Sequence, residues 1–134
     1  MKLIKQEDSF GCGVACVASI LDINYQNSLN LFKNGRIKAN NTGFLCKDII
    51  ESLTKRGLSY EYKYITKKIR KKIYKPNTIV FLKISKKYPS GHYLCRIGNR
   101  WMDPWINFPN EKIKAGYRKK LPDKPIYAIL ELKN

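Results

Sequence analysis

The chain is predicted to be α+β, with helices in its first half packed on an antiparallel sheet drawn from its second half. Three observations predict this class. Val14, Ala15, Val17, Ala18, Ile20 and Leu21 leave almost no polar face when wound at helical period, which marks a buried central helix. Beyond Leu58 the pattern changes to short alternating or apolar runs, the mark of strands. Helices come first and strands later, so the order lacks the β-α alternation of a parallel sheet.

The elements follow in order. Leu3-Ile4-Lys5 leads into a polar loop carrying Gln6, and the helix starting at Cys12 ends near Asp22-Ile23-Asn24. Ser28 to Lys33 is expected to form a short helix closed by Asn34-Gly35, a stop signal. Asn40-Asn41-Thr42-Gly43 is a turn that opens an amphipathic helix in which Leu45, Ile49 and Leu53 recur every four residues, ending at Gly57. Tyr60, Tyr62 and Tyr64 alternate in a strand, and Thr66 caps a basic helical turn, Lys67 to Ile73, with Ile69 and Ile73 facing inward. Thr78 to Ile84 is the clearest buried strand. Pro125 to Leu132 closes the chain as a strand whose weak alternation predicts a well-covered position.

Between these last two lies a hairpin whose geometry can be counted. A two-residue Gly98-Asn99 loop pairs Ile97 with Arg100, Leu94 with Asp103 and His92 with Trp105. His92 and Asp103 then share a face at a diagonal spacing of about 7–8 Å, within side-chain reach. Pro104 biases Asp103 toward the extended conformation this needs. Trp101 and Trp105 flank the same strand, where core packing is the common fate of tryptophan.

Cys12 is the candidate nucleophile. At the first turn of a helix the unpaired N–H groups and the positive end of the dipole favour a thiolate. Gly11 and Gly13 allow close approach on either side. His92 is the one histidine of the chain, and Asp103 lies beyond it; a distant Cys and His with a carboxylate is the pattern of nucleophile, base and orienter. Cys16 and Cys46 are expected to be plain core.

Gln6 six positions before Cys12, the Cys12-Gly13-Val14-Ala15-Cys16 start of an apolar helix, the His92-Tyr93-Leu94 strand and the Asp103-Pro104 pair together resemble the bacteriocin-processing, double-glycine leader peptidases. The resemblance spans nearly the whole chain. It implies a papain-like cysteine peptidase fold over residues 1–134 as a single domain. It also implies Cys12 as nucleophile, His92 as general base, Asp103 as orienter and the Gln6 amide as an oxyanion-hole donor.

Composition bounds the rest. At 134 residues the chain has room for one real core but not for the transporter segments that often accompany such peptidases. No apolar run approaches membrane-spanning length and the first residues lack a signal peptide's apolar stretch, so a cytoplasmic protein with reduced thiols is expected. No cofactor is expected, and no paired C-x-x-C spacing supports a metal site. The net charge of +17 attracts acidic peptides, nucleic acid and anionic membranes, but the 27 Lys and Arg residues are mostly Lys and spread along the chain, without a nucleic-acid-reading module. The expected partner is a peptide or protein substrate, an acidic leader cut after small residues and held in part by Lys67 to Lys72, with peripheral or transporter association left open. Two readings compete on the same scaffold: a thiol hydrolase or deamidase acting on a protein target, and a non-catalytic peptide binder.

Overall fold

The computed structural model describes residues 2–132. Four helices come first: α1 (Cys12–Leu21), α2 (Tyr25–Leu29), α3 (Gly35–Asn41) and α4 (Cys46–Thr54). There follow β1 (Tyr60–Tyr64), a short α5 (Lys67–Arg70), β2 (Ile79–Leu82), β3 (His92–Ile97), β4 (Arg100–Asp103), β5 (Gly116–Arg118) and β6 (Pro125–Glu131). The strands form one sheet in the order β1-β6-β2-β3-β4-β5, every neighbouring pair antiparallel. The α+β class read from the order of elements is the class observed.

Helix α1 is central because it is apolar all round: Gly13 to Ser19 are buried, and it packs on β3, α2 and α4. Each fully buried Val14 or Val17 side chain contributes about 1.5 kcal/mol or more by leaving water. The helix stops at Asp22, which adopts the left-handed conformation while the Ile23 N–H bonds Ala18 O at 3.0 Å. The sheet has two apolar faces. Ile79, Tyr93, Cys95, Met102 and Ile129 pack against α1, whereas Val80, Leu82, Leu94, Trp101 and Ala128 pack with Ile69 and Ile73 on the other side. Both sides being covered explains the weak alternation of β6, which lies between β1 and β2.

Several expected boundaries move, each for a local reason. The helix expected over 28–33 is instead α2, begun by Asn24, whose side chain accepts from the Asn27 N–H at 2.7 Å. Asn34-Gly35 does not close that helix but opens α3; a side chain at Gly35 would strike the Leu29 carbonyl, so only glycine permits this approach. Leu45 is not part of the α4 core stripe. It precedes the helix and is exposed, while Asp48 reaches back to the Leu45 N–H at 2.8 Å; Ile49 and Leu53 alone are buried. The basic helix ends at Arg70 and continues as turns, although Thr66 caps it and Ile69 and Ile73 face inward. β5 is an element the pattern did not reveal.

Candidate active site

The loop before α1 is braced so that Cys12 emerges in one place. Phe10 N–H bonds Ala39 O at 2.9 Å, Gly11 N–H bonds Asp8 O at 3.1 Å, and the Asp8 carboxylate accepts the Tyr25 hydroxyl at 2.7 Å. Tyr25 lies so close to Gly11 that a Cβ there would overlap its hydroxyl. Gly11 caps α1 without any side-chain hydrogen bond, so the first-turn N–H groups stay open beside the thiol. The Tyr93 N–H also points at Cys12 Sγ, 3.4 Å away.

The hairpin delivers the other two residues. Ile97 pairs with Arg100, Arg96 with Trp101 and Cys95 with Met102, the register counted from the Gly98-Asn99 loop. His92 Nε2 and Asp103 Oδ1 are 2.6 Å apart, and both residues are buried. The ladder stops at Cys95–Met102, short of the expected Leu94–Asp103 and His92–Trp105 pairs; the chain turns at Pro104, and the Trp105 N–H folds back to Asp103 Oδ1 at 2.9 Å. That turn gives the carboxylate a second donor. Trp101 is core, whereas Trp105 packs at the pocket with Nε1 donating to Asn110 O at 2.9 Å.

With Nε2 facing Asp103, Nδ1 is the ring nitrogen left for Cys12, which is near enough to act on the His92 ring. Burial alone would disfavour a charged ring. The hydrogen bonds to Asp103 and Cys12, with their charges, outweigh it and raise the imidazole from 6.5 to about 9. Burial likewise opposes ionisation of Asp103, but the bond and charge of His92, the Arg118 guanidinium and the Trp105 N–H hold it below the ordinary carboxylate range. An imidazolium held beside a carboxylate is the arrangement these two shifts favour. Burial raises Cys16 and Cys46 above the usual thiol range.

Gln6 lies in the same pocket, fully buried. Its Nε2 donates to Asp8 O at 2.9 Å and Ser9 O at 3.1 Å, while Oε1 has no partner among the described residues. Its amide protons are therefore engaged by the loop in this state. Sequence reasoning missed two further neighbours of the site. Tyr88 stacks on the His92 ring at 4.9 Å and 7°, and Arg118 Nε donates to Asp103 Oδ2 at 2.8 Å. Neither carries a local signal, since Arg118 is one of 27 basic residues and Tyr88 sits in an irregular loop.

Cys12 and His92 open onto a pocket of about 700 Å³ lined mainly by apolar groups, Phe10, Phe44, Leu45, Phe81, Ile84 and Phe108 among them, with Lys38 and Asp48 at its rim. The basic segment Lys67 to Lys72 contributes nothing to this lining. It is carried by the elements packed on the sheet face away from α1. No helix among the described residues is long and apolar enough to cross a membrane.

The architecture is the papain-like peptidase fold. Solved structures that share it include the peptidase domain of Streptococcus ComA, a bi-functional ABC transporter involved in a quorum-sensing pathway, at TM-score 0.63 and 22% identity over 99% of this chain and 98% of that one. The peptidase domain of Streptococcus mutans ComA matches at TM-score 0.59 and 22% identity over 99% of this chain and 100% of that one. A double glycine motif protease from an AMS/PCAT transporter, solved with its leader peptide, matches at TM-score 0.58 and 16% identity over 97% and 89%. No protein-family model matches the chain, and no curated protein matches it.

Proposed function

We propose that the protein is a cysteine peptidase that cleaves a leader peptide after small residues, with Cys12 as nucleophile, His92 as general acid and base, and Asp103 as orienter. The observation that carries this reading is the convergence of Cys12, from a helix start, with a buried His92–Asp103 pair at 2.6 Å, on the rim of an apolar pocket. The likeness to a double glycine motif protease solved with its leader peptide supports the choice of substrate class.

In this mechanism the thiolate attacks the scissile carbonyl and the electron pair moves onto the oxygen. The Cys12 N–H, at the open end of α1, receives that oxyanion in this mechanism. His92 Nδ1–H then protonates the leaving amine as the C–N bond breaks, giving a thioester. Water, deprotonated by His92, hydrolyses the thioester and returns the thiol. A developing oxyanion is a stronger acceptor than a neutral carbonyl, so it draws a Gln6 proton away from Asp8 O or Ser9 O. Gln6→Ala is expected to lower kcat on the order of 10²-fold. A loss below about 10-fold, within the range of a displaced loop, would make Gln6 a brace only.

The pocket fits apolar side chains upstream of the scissile bond. Acidic residues in the leader have no lysine row to meet there, because Lys67 to Lys72 lies elsewhere. Small residues at the bond itself suit a thiol set between the braced loop and Gly91.

The deciding experiment is incubation of the protein with a synthetic double-glycine leader peptide, with mass analysis of the products. Cleavage after the glycine pair by the native chain, and none by Cys12→Ala with the same circular dichroism spectrum, is the expected result. An equal rate from Cys12→Ala would refute the nucleophile, and release of ammonia from a glutamine side chain without chain scission would move the assignment to a deamidase. Cleavage is also expected to decline as pH rises through about 9, where His92 loses the proton it gives to the leaving amine. The sign for stability is the same: the contribution of the charged ring is complete below about 6.5 and fades through about 9.

A further inference from the structure

Asp103 is wholly buried, yet its carboxylate receives three donors: His92 Nε2 and the Trp105 N–H on Oδ1, and Arg118 Nε on Oδ2. The same guanidinium donates from Nη2 to Ile106 O at 3.2 Å, so one planar group ties the carboxylate to the segment that follows β4. Arg118 comes from β5, whose Gly116 pairs with Asp103 and whose Arg118 pairs with Trp101. Without the arginine, Oδ2 would be a buried charge with no partner, and only the two donors on Oδ1 would oppose rotation of the carboxylate about its Cβ–Cγ bond.

Resting on the thiol-peptidase reading, we propose that Arg118 is a positioning residue of the site, acting on His92 through Asp103 by fixing the carboxylate's rotation and keeping it anionic. The titratable and charged groups around that carboxylate are His92 on β3, Arg118 on β5, Cys16 on α1 and Tyr88 from the loop before β3, with Cys12 beyond His92. Of these Arg118 is the one permanent cation. Its removal makes protonation of Asp103 easier, and a protonated Asp103 no longer stabilises the imidazolium that pairs with Cys12, so the acid limb of Cys12 reactivity moves toward higher pH.

The test is the pH dependence of Cys12 alkylation by iodoacetamide, a readout that needs no peptide, with leader cleavage measured in parallel. Arg118→Met is expected to move the acid limb upward by about 0.5 pH unit or more, as loss of a nearby opposite charge does. Arg118→Lys keeps the cation but not the fork; it should leave the limb in place and lower kcat/KM about 10-fold by loosening the carboxylate. In an Asp103→Asn background, Arg118→Met should cause no further loss, because the group it acts through is gone.

An arginine that only packs β5 would lower the melting temperature and leave the limb unmoved, which overturns the proposal; so does a full additional loss in the Asp103→Asn background. Should Arg118→Met not fold, the lysine variant decides, since a native rate from it refutes the fork. The two readings fail separately. A shifted limb with no peptide cut by the native chain sinks the leader-peptidase function and leaves Arg118 in its role, whereas normal cleavage with an unmoved limb does the reverse.

Discussion

His92→Ala is expected to lower kcat/KM by on the order of 10³-fold or more while the protein remains folded, because in the proposed mechanism the ring supplies the proton for the leaving amine and then takes one from water. Asp103→Asn tests how the ring is held. In an isolated pair an amide oxygen could accept the Nε2 proton as well as a carboxylate does. Here three donors meet the Asp103 side chain, and an asparagine has one oxygen to offer them. If that oxygen stays with His92 and Trp105, the amide nitrogen faces Arg118 Nε, donor against donor. If it turns to Arg118, the amide nitrogen faces His92 and forces the opposite tautomer. The loss for Asp103→Asn is therefore expected to reach on the order of 10²-fold, still less than for His92→Ala. Steady-state kinetics on one leader peptide, with circular dichroism on each variant, checks the order. Equal losses for the two would give the carboxylate a direct part in proton transfer, and a loss below about 3-fold for Asp103→Asn would show that its geometry is not limiting.

How much of this was legible beforehand depends on the range of the interaction that fixes each part. The α1 helix, the β3–β4 register and the meeting of His92 with Asp103 were readable because each follows from local rules: apolar period, a two-residue loop, and alternation of faces. The Cys12 position was readable as a helix start. Its approach to a histidine 80 positions away followed from the family resemblance rather than from periodicity. What stayed hidden is set by contacts without a pattern. β5 is a three-residue strand, Gly-Tyr-Arg, recruited by pairing with β4, and nothing in it separates Arg118 from the other basic residues. The Gln6 amide could be placed near the thiol but not aimed, since its direction is fixed by the carbonyls of Asp8 and Ser9. The charge of +17 pointed toward acidic substrates, yet the pocket beside Cys12 is apolar and the densest lysine run lies off it. Net charge is a sum over the whole surface and says nothing of which face it covers.

Gly91→Ala is expected to damage stability and activity together, more than its size implies. Gly91 precedes His92 and holds φ at +72°, a conformation in which a Cβ is strained, costing roughly 1–2 kcal/mol. A Cβ there would also overlap the Phe81 ring and come within 3.0 Å of the Leu82 carbonyl. Phe81 cannot simply swing aside: its ring is tilted against Tyr93 at 4.8 Å and lies 6.5 Å from Tyr127, and it lines the pocket. Overpacking of this kind adds about 1–3 kcal/mol, so a total of about 2–5 kcal/mol is expected, measured as the shift in a urea midpoint. Relief by backbone movement would come from the one residue next to the base. A displacement of His92 by even about 1 Å lengthens its reach to Cys12 and can lower turnover by about 10²-fold. Two variants divide the effect. In Gly91→Ala with Phe81→Ala the ring is gone, so the ring clash is removed while the φ strain and the close Leu82 carbonyl remain; that pair should recover part of the activity lost to Gly91→Ala. If Phe81→Ala restores nothing, the backbone conformation alone sets the position of His92, and if Gly91→Ala is neutral in both stability and rate, the tight turn before β3 has no part in holding the site.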